Sequence, residues 1–199
     1  MSYPEFFNTI ESVKVVDPLA NVLGAFDGGL YEFTFLDAVK AAGHSCPTLA
    51  GAYLVTLEGL KALYPNSPAV RGEIKVKFKE PLEEGVAGVI SNVVSQITGA
   101  TDKSGFKGLG GKFARHSLMD FNANINSSVR FTRVDSGKSV DVYYDPSSVG
   151  GSPKMQQLMQ KMMGGMASSD EVKEFGSLWQ DRVKRIFENR SSVIKVVEV

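Results

Sequence analysis

The segment from Cys46 to Tyr64 constrains the fold more than any other part of the chain. Its apolar residues Ala50, Tyr53, Leu54, Leu57, Leu60 and Tyr64 recur with a period near 3.6, which predicts a helix with one buried face. Pro47 suits the first helical position, where a missing N–H costs nothing, and this places Cys46 at the N-cap. Pro65-Asn66-Ser67-Pro68 closes the helix. An apolar helix of this length must be covered by other elements. A chain of 199 residues, 43% of them hydrophobic, can supply them. A domain of that size removes about 70% of its unfolded-chain surface from water.

The remaining elements mix types. Short helices are predicted from Pro4 to Glu11 and from Leu36 to Ala42, the second ended by Gly43. Strands are predicted at Val13–Val16 and, after the turn Asp27-Gly28-Gly29, at 30–35. Glu73 to Glu80 alternates Ile74, Val76 and Phe78 with Lys75, Lys77 and Lys79, the pattern of a half-exposed strand. Val86 to Ile97 reads as a helix, followed by a glycine-rich loop. The segments 113–121, 128–134 and 139–144 read as an antiparallel meander. Ser147 to Pro153 is a linker, so residues 1–146 form a core and 147–199 an extension of two helices and a last strand. Without strict alternation of strand and helix, the expected class is α+β.

Charge and cysteine content exclude several functions. Lys plus Arg equals Asp plus Glu at 22 each. No basic excess or patch supports binding of nucleic acid by bulk electrostatics. The single cysteine forbids an intramolecular disulfide, which fits a reducing, cytoplasmic setting. The start of the chain lacks the basic region of a secretory signal, and no apolar run is long enough for a membrane span.

The candidate chemistry centres on Gly43-His44-Ser45-Cys46-Pro47. His44 and Cys46 are metal-ligating types two residues apart in a turn. A sulfur at a helix N-cap faces the positive end of the helix dipole, which favours the thiolate. Cys46 is therefore a candidate metal ligand, nucleophile or redox thiol; an inert cysteine beside a surface histidine is the alternative. His116 is the only other imidazole and a possible third ligand. The loop bearing Gly105, Lys107, Gly108, Gly110, Gly111 and Lys112 offers backbone N–H groups and positive charge to an anion or cofactor, although its spacing is not that of a Walker A loop. Met155, Met159, Met162, Met163 and Met166 form an apolar stripe, suited to packing on the core or on another copy of the chain.

Gly43-His44-Ser45-Cys46-Pro47, followed by a small-residue helix with Gly51-Ala52, resembles the His-x-Cys-Pro turn of the FmdE family, named for a component of formylmethanofuran dehydrogenase. Gly99-Ala100-Thr101, Gly111-Lys112, Val129-Arg130-Phe131 and Asp135-Ser136-Gly137-Lys138 match its later segments in order. The resemblance spans roughly residues 30 to 145. The family's first turn histidine is Ala42 here; its second-segment cysteine and aspartate fall near Val89 and Asn92. The resemblance implies an α+β core, a homodimer and a metal cleft at the His-x-Cys turn. Zinc is the expected ion, held by His44, Cys46 and His116, with Cys46 the catalytic candidate acting on a small-molecule ligand. A non-enzymatic haem or copper carrier, using Cys46-Pro47 and the methionine helix, is the second expectation.

Overall fold

The computed structural model describes residues 2–199. The fold is α+β, with two mixed sheets. The smaller sheet joins β1 (Val13–Val16), β2 (Leu30–Phe33) and β3 (Ala69–Val70) in the order β2-β1-β3. The larger sheet comprises β4 (Ile74–Phe78), β5 (Met119–Asp120), β6 (Val129–Arg133), β7 (Ser139–Tyr144) and β8 (Ile194–Glu198), in the order β5-β4-β6-β7-β8. In β4 the alternation read from the sequence holds: Ile74, Val76 and Phe78 are buried, Lys75 and Lys77 exposed.

Helix α3 (Pro47–Leu63) is the spine of the molecule, and twelve of its seventeen residues are buried. Burial is not confined to the stripe that the periodicity predicts, because neighbours cover several sides. The larger sheet lies against the side that carries Gly51 and Gly59. A Cβ at Gly59 would sit 2.7 Å from the Phe131 ring, and one at Gly51 2.2 Å from the Tyr144 ring. The two glycines let the helix approach the sheet closely. Helices α2 (Phe35–Ala42), α4 (Ala87–Thr98) and α6 (Ser169–Glu188) also pack on α3. Val183 and Ile186 of α6 belong to the same apolar core as Leu54 and Val55.

Three short elements leave no clear pattern in the sequence: β3, α1 (Pro18–Val22) and α7 (Arg190–Val193). Asp17 caps α1 by accepting the Leu19 and Ala20 amides. One expected strand is corrected. Of residues 113–121 only Met119 and Asp120 form a strand, and they run parallel to β4. Phe113 and Ser117 adopt φ of 61° and 57°, in the left-handed region, which breaks any extended run. His116 therefore sits in a turn, not in a strand.

The methionine segment forms α5 (Pro153–Met163), which packs on α6. Met155 and Leu158 are buried in that contact, whereas Met163 and Met166 are 79% and 74% exposed. The stripe is thus half inward and half outward. No helix among the described residues is long and apolar enough to cross a membrane.

Candidate functional site

The His-Ser-Cys turn joins the end of α2 to the start of α3. Gly43 takes φ 74° and stops α2 by donating its amide to Val39. Cys46 is the N-cap of α3, and its Sγ accepts the Leu49 amide at 3.3 Å. That bond satisfies one of the orphan N–H groups of the helix end and holds the sulfur against its positive pole. His44 is exposed, with Nδ1 lying 3.0 Å from the Ala42 carbonyl. A carbonyl can only accept, so Nδ1 donates, and in the neutral tautomer that this bond selects Nε2 carries the lone pair.

Between them, Ser45 is gripped from outside the turn. Its carbonyl accepts the Trp179 indole N–H at 2.9 Å and the Gln180 side-chain amide at 3.3 Å, both from α6. On the other side, the Tyr144 hydroxyl donates to the Pro47 carbonyl at 2.9 Å. Burial pushes the Tyr144 hydroxyl well above the ordinary tyrosine range; Arg182 opposes that shift, and the neighbouring Cys46 and Asp145 add to it. Tyr144 is accordingly a neutral donor at physiological pH. Residues 144, 179 and 180 thus fix a turn about one hundred residues earlier, a link that no local pattern in the sequence reports.

A cleft of 490 Å³ opens beside His44, between α2 and α4. It is also lined by Val89 and Asn92 of α4. The chain therefore presents an apolar side chain and a neutral amide to the cleft. The larger cleft, 580 Å³, lies elsewhere along α3 beside Glu11, Lys61 and Tyr64, and two of its charged groups, Glu11 and Lys61, are paired at 3.0 Å. The smaller cleft is the one that His44 lines.

His116 and the glycine loop are placed apart from this turn. Gly99 ends α4, and the loop that follows is tied to itself. Thr101 donates its amide to Arg115, Ser117 to Asp102, and both Arg115 and His116 to Phe106. The Leu109 and Lys112 amides are spent on each other's carbonyls, closing a tight turn around Gly110 and Gly111. Lys107 and Lys112 are exposed. The loop continues from the C-terminal end of α4, and none of its residues lines the cleft beside His44. The expected three-ligand group of His44, Cys46 and His116 does not form. Among the described residues no three His, Cys, Asp or Glu side chains gather closely enough to hold an ion. His116 instead bonds Ser117 through Nδ1 at 2.9 Å.

The loop's Arg115, inconspicuous in the sequence, has a structural task. It is buried and donates to Asp17, 98 residues away, at 2.6 Å. Gly72 and Gly99 leave room for its guanidinium, since a Cβ at either would lie within 2.9 Å of Nη1.

No protein-family model matches the chain, and a search of curated proteins finds no match.

Proposed function

We propose that the His44-Ser45-Cys46 turn is a soft-ligand site that takes a transition ion, zinc first, through the Cys46 thiolate and His44 Nε2. The observation that carries this reading is the way the turn is pre-set: the sulfur is bonded to the Leu49 amide, and His44 Nδ1 is engaged by the Ala42 carbonyl. This is the outer-shell arrangement that orients a metal-ligating imidazole. The resemblance of the turn to the FmdE pattern supports the same reading. Two protein ligands cannot make a closed structural zinc centre, which needs four. The site suits an open ion whose other positions accept a small molecule or groups from a second copy of the chain. A bound ion there would polarise a carbonyl or activate water or a thiol. The protein's own part is to hold the two donors and to keep Tyr144 as a neutral hydrogen-bond donor next to the sulfur.

The haem or copper reading has less support. It needs the methionines beside Cys46, and Met163 and Met166 lie on the exposed end of the α5–α6 hairpin.

Equilibration with zinc followed by desalting and metal analysis tests the proposal. Wild type should retain close to one ion per chain, and Cys46→Ser or His44→Ala at least about tenfold less, a loss of about 1.4 kcal/mol or more. Iodoacetamide should alkylate Cys46 more slowly once zinc is added. Equal retention in wild type and Cys46→Ser would remove the sulfur from the site.

A further inference from the structure

We infer that the cleft between α2 and α4 binds an uncharged aliphatic molecule carrying a neutral amide-like head, with or without an ion at Cys46. Its volume, 490 Å³, is within the range of small-molecule pockets, about 300–1,000 Å³. One wall is the alanine face of α2: Ala38, Ala41 and Ala42 have no side chain beyond Cβ to fill the space. Val89 and Val93 of α4 form the other wall, and Leu49, fully buried, contributes from α3. These surfaces fit an aliphatic body.

The polar groups set the head. Asn92 and Gln96 are four residues apart on α4 and so lie on one face of the helix. Both are neutral, and each carries one donor and one acceptor group. The Gln96 amide nitrogen reaches the Asp37 carbonyl at 3.4 Å, which leaves its side-chain oxygen to accept from a guest. His44 stands at the same cleft. Among the described residues, no aspartate, glutamate, lysine or arginine lines it. A carboxylate or ammonium would find no opposite charge among Asp, Glu, Lys or Arg side chains there, whereas a carboxamide can pair its donor and its acceptor with Asn92 and Gln96.

The test uses the metal-free full-length chain in a chelator and, in parallel, Cys46→Ser. Hexanamide, hexanoate and hexylammonium are titrated against the ¹⁵N-labelled protein by NMR. Hexanamide should move the Asn92 and Gln96 side-chain amides and the Ala38, Ala41 and Ala42 signals, and should bind at least about tenfold more tightly than either charged probe. Val89 is 42% exposed, so Val89→Trp should fill the cleft without disturbing the core and cut hexanamide affinity by about tenfold or more. Asn92→Leu, close in volume, should narrow the gap between hexanamide and hexanoate. Equal affinity for the three probes, or no effect of Val89→Trp, would overturn the inference. So would movement of the same signals with protein concentration alone, which would give the cleft to a second copy of the chain. Hexanamide binding that persists in Cys46→Ser separates this inference from the metal proposal, since either one can fail while the other stands.

Discussion

Two helix ends in this molecule are finished with polar side chains, and they are finished in opposite ways. At the C-terminal end of α4, Asp17 is buried and fully engaged. Its carboxylate accepts from the Leu19 and Ala20 amides, the Tyr31 hydroxyl, Arg71 at 2.9 Å and Arg115 at 2.6 Å. Arg71 also donates to the Gln96 and Ile97 carbonyls, so a cation meets the negative pole of the helix. At the N-terminal end of α3, Cys46 and His44 are each held by one backbone contact and stay partly open, while α6 and Tyr144 grip the carbonyls around them. The first end turns its charged groups on one another, with Arg115 Nη1 buried and left without a partner, and joins β1, β2, β3 and α4 to the loop before β5. The second places its scaffold bonds on carbonyls and leaves its reactive atoms available. A buried ionic cluster built around a fully engaged carboxylate is architecture. A rigid turn with unsaturated soft donors is where we propose that an ion binds.

The sharpest way to break this contrast is to remove Asp17. Asp17→Ala would leave two guanidinium groups without their carboxylate, one of them buried, at a cost of about 3–5 kcal/mol. Urea denaturation would measure it, and a loss below about 1 kcal/mol would contradict the architectural role. pH provides a second handle. Burial alone would raise the Asp17 pKa, but the Arg71 hydrogen bond, the Arg115 charge and the Ala20 amide outweigh it, so the folded-state value is lowered. A lowered folded-state value gives stability that is fully present above the unfolded-state value of about 3.9 and is lost as the pH falls through the folded-state value. The wild-type protein should therefore lose stability in that acid window more steeply than Asp17→Asn.

The two ends also differ in how far they could be read from the sequence. The Cys46 end was legible because its signals are local: Gly43 as a left-handed stop, Pro47 at the first helical position, and apolar residues at helical spacing. Its clamps were not, since Tyr144, Trp179 and Gln180 act across 97 to 135 residues of chain. The Asp17 end was hidden altogether. Arg115 lies in a segment whose composition suggests a strand, and its partner is 98 residues away. The loop conformation there includes non-glycine residues in the left-handed region, which propensity argues against and tertiary bonds impose. His116 looked like a ligand because imidazoles are scarce in the chain; its neighbours show that the loop folds around Arg115 instead.

Gly51→Ala tests the α3 end through packing. The new Cβ would meet the Tyr144 ring at 2.2 Å, and Tyr144 is packed against the core, so it must shift. Overpacking of this kind costs about 1–3 kcal/mol. Moving the ring also breaks the hydroxyl bond to Pro47, so Cys46 alkylation should quicken in Gly51→Ala and not in Asp17→Asn at a pH where that variant remains folded. The pair Gly51→Ala and Tyr144→Ala should be less destabilising together than the sum of the two, because Tyr144→Ala removes the clash. Additive losses would mean that the ring is not what Gly51 accommodates.

The smallest loss of stability is expected from Trp179→Phe, which bears most directly on the turn. The aromatic body remains to pack near Phe175, whose ring centroid lies 5.6 Å away, and only the indole N–H is removed. The Ser45 carbonyl keeps its bond from Gln180 at 3.3 Å, so the cost should stay near or below about 1 kcal/mol. The effect on the site should be out of proportion to that loss. With one of its two external bonds gone, the turn samples other arrangements, zinc retention falls, and iodoacetamide reaches Cys46 faster. Trp179→Phe with Gln180→Ala would remove both bonds and should exceed either single change in alkylation rate. Trp179 is the only tryptophan in the chain, so wild-type fluorescence should also respond when zinc or a thiol reagent engages Cys46. If Trp179→Phe left both alkylation and zinc retention at wild-type values, the α6 clamp would be packing alone, and the contrast between the two helix ends would rest on the Asp17 cluster.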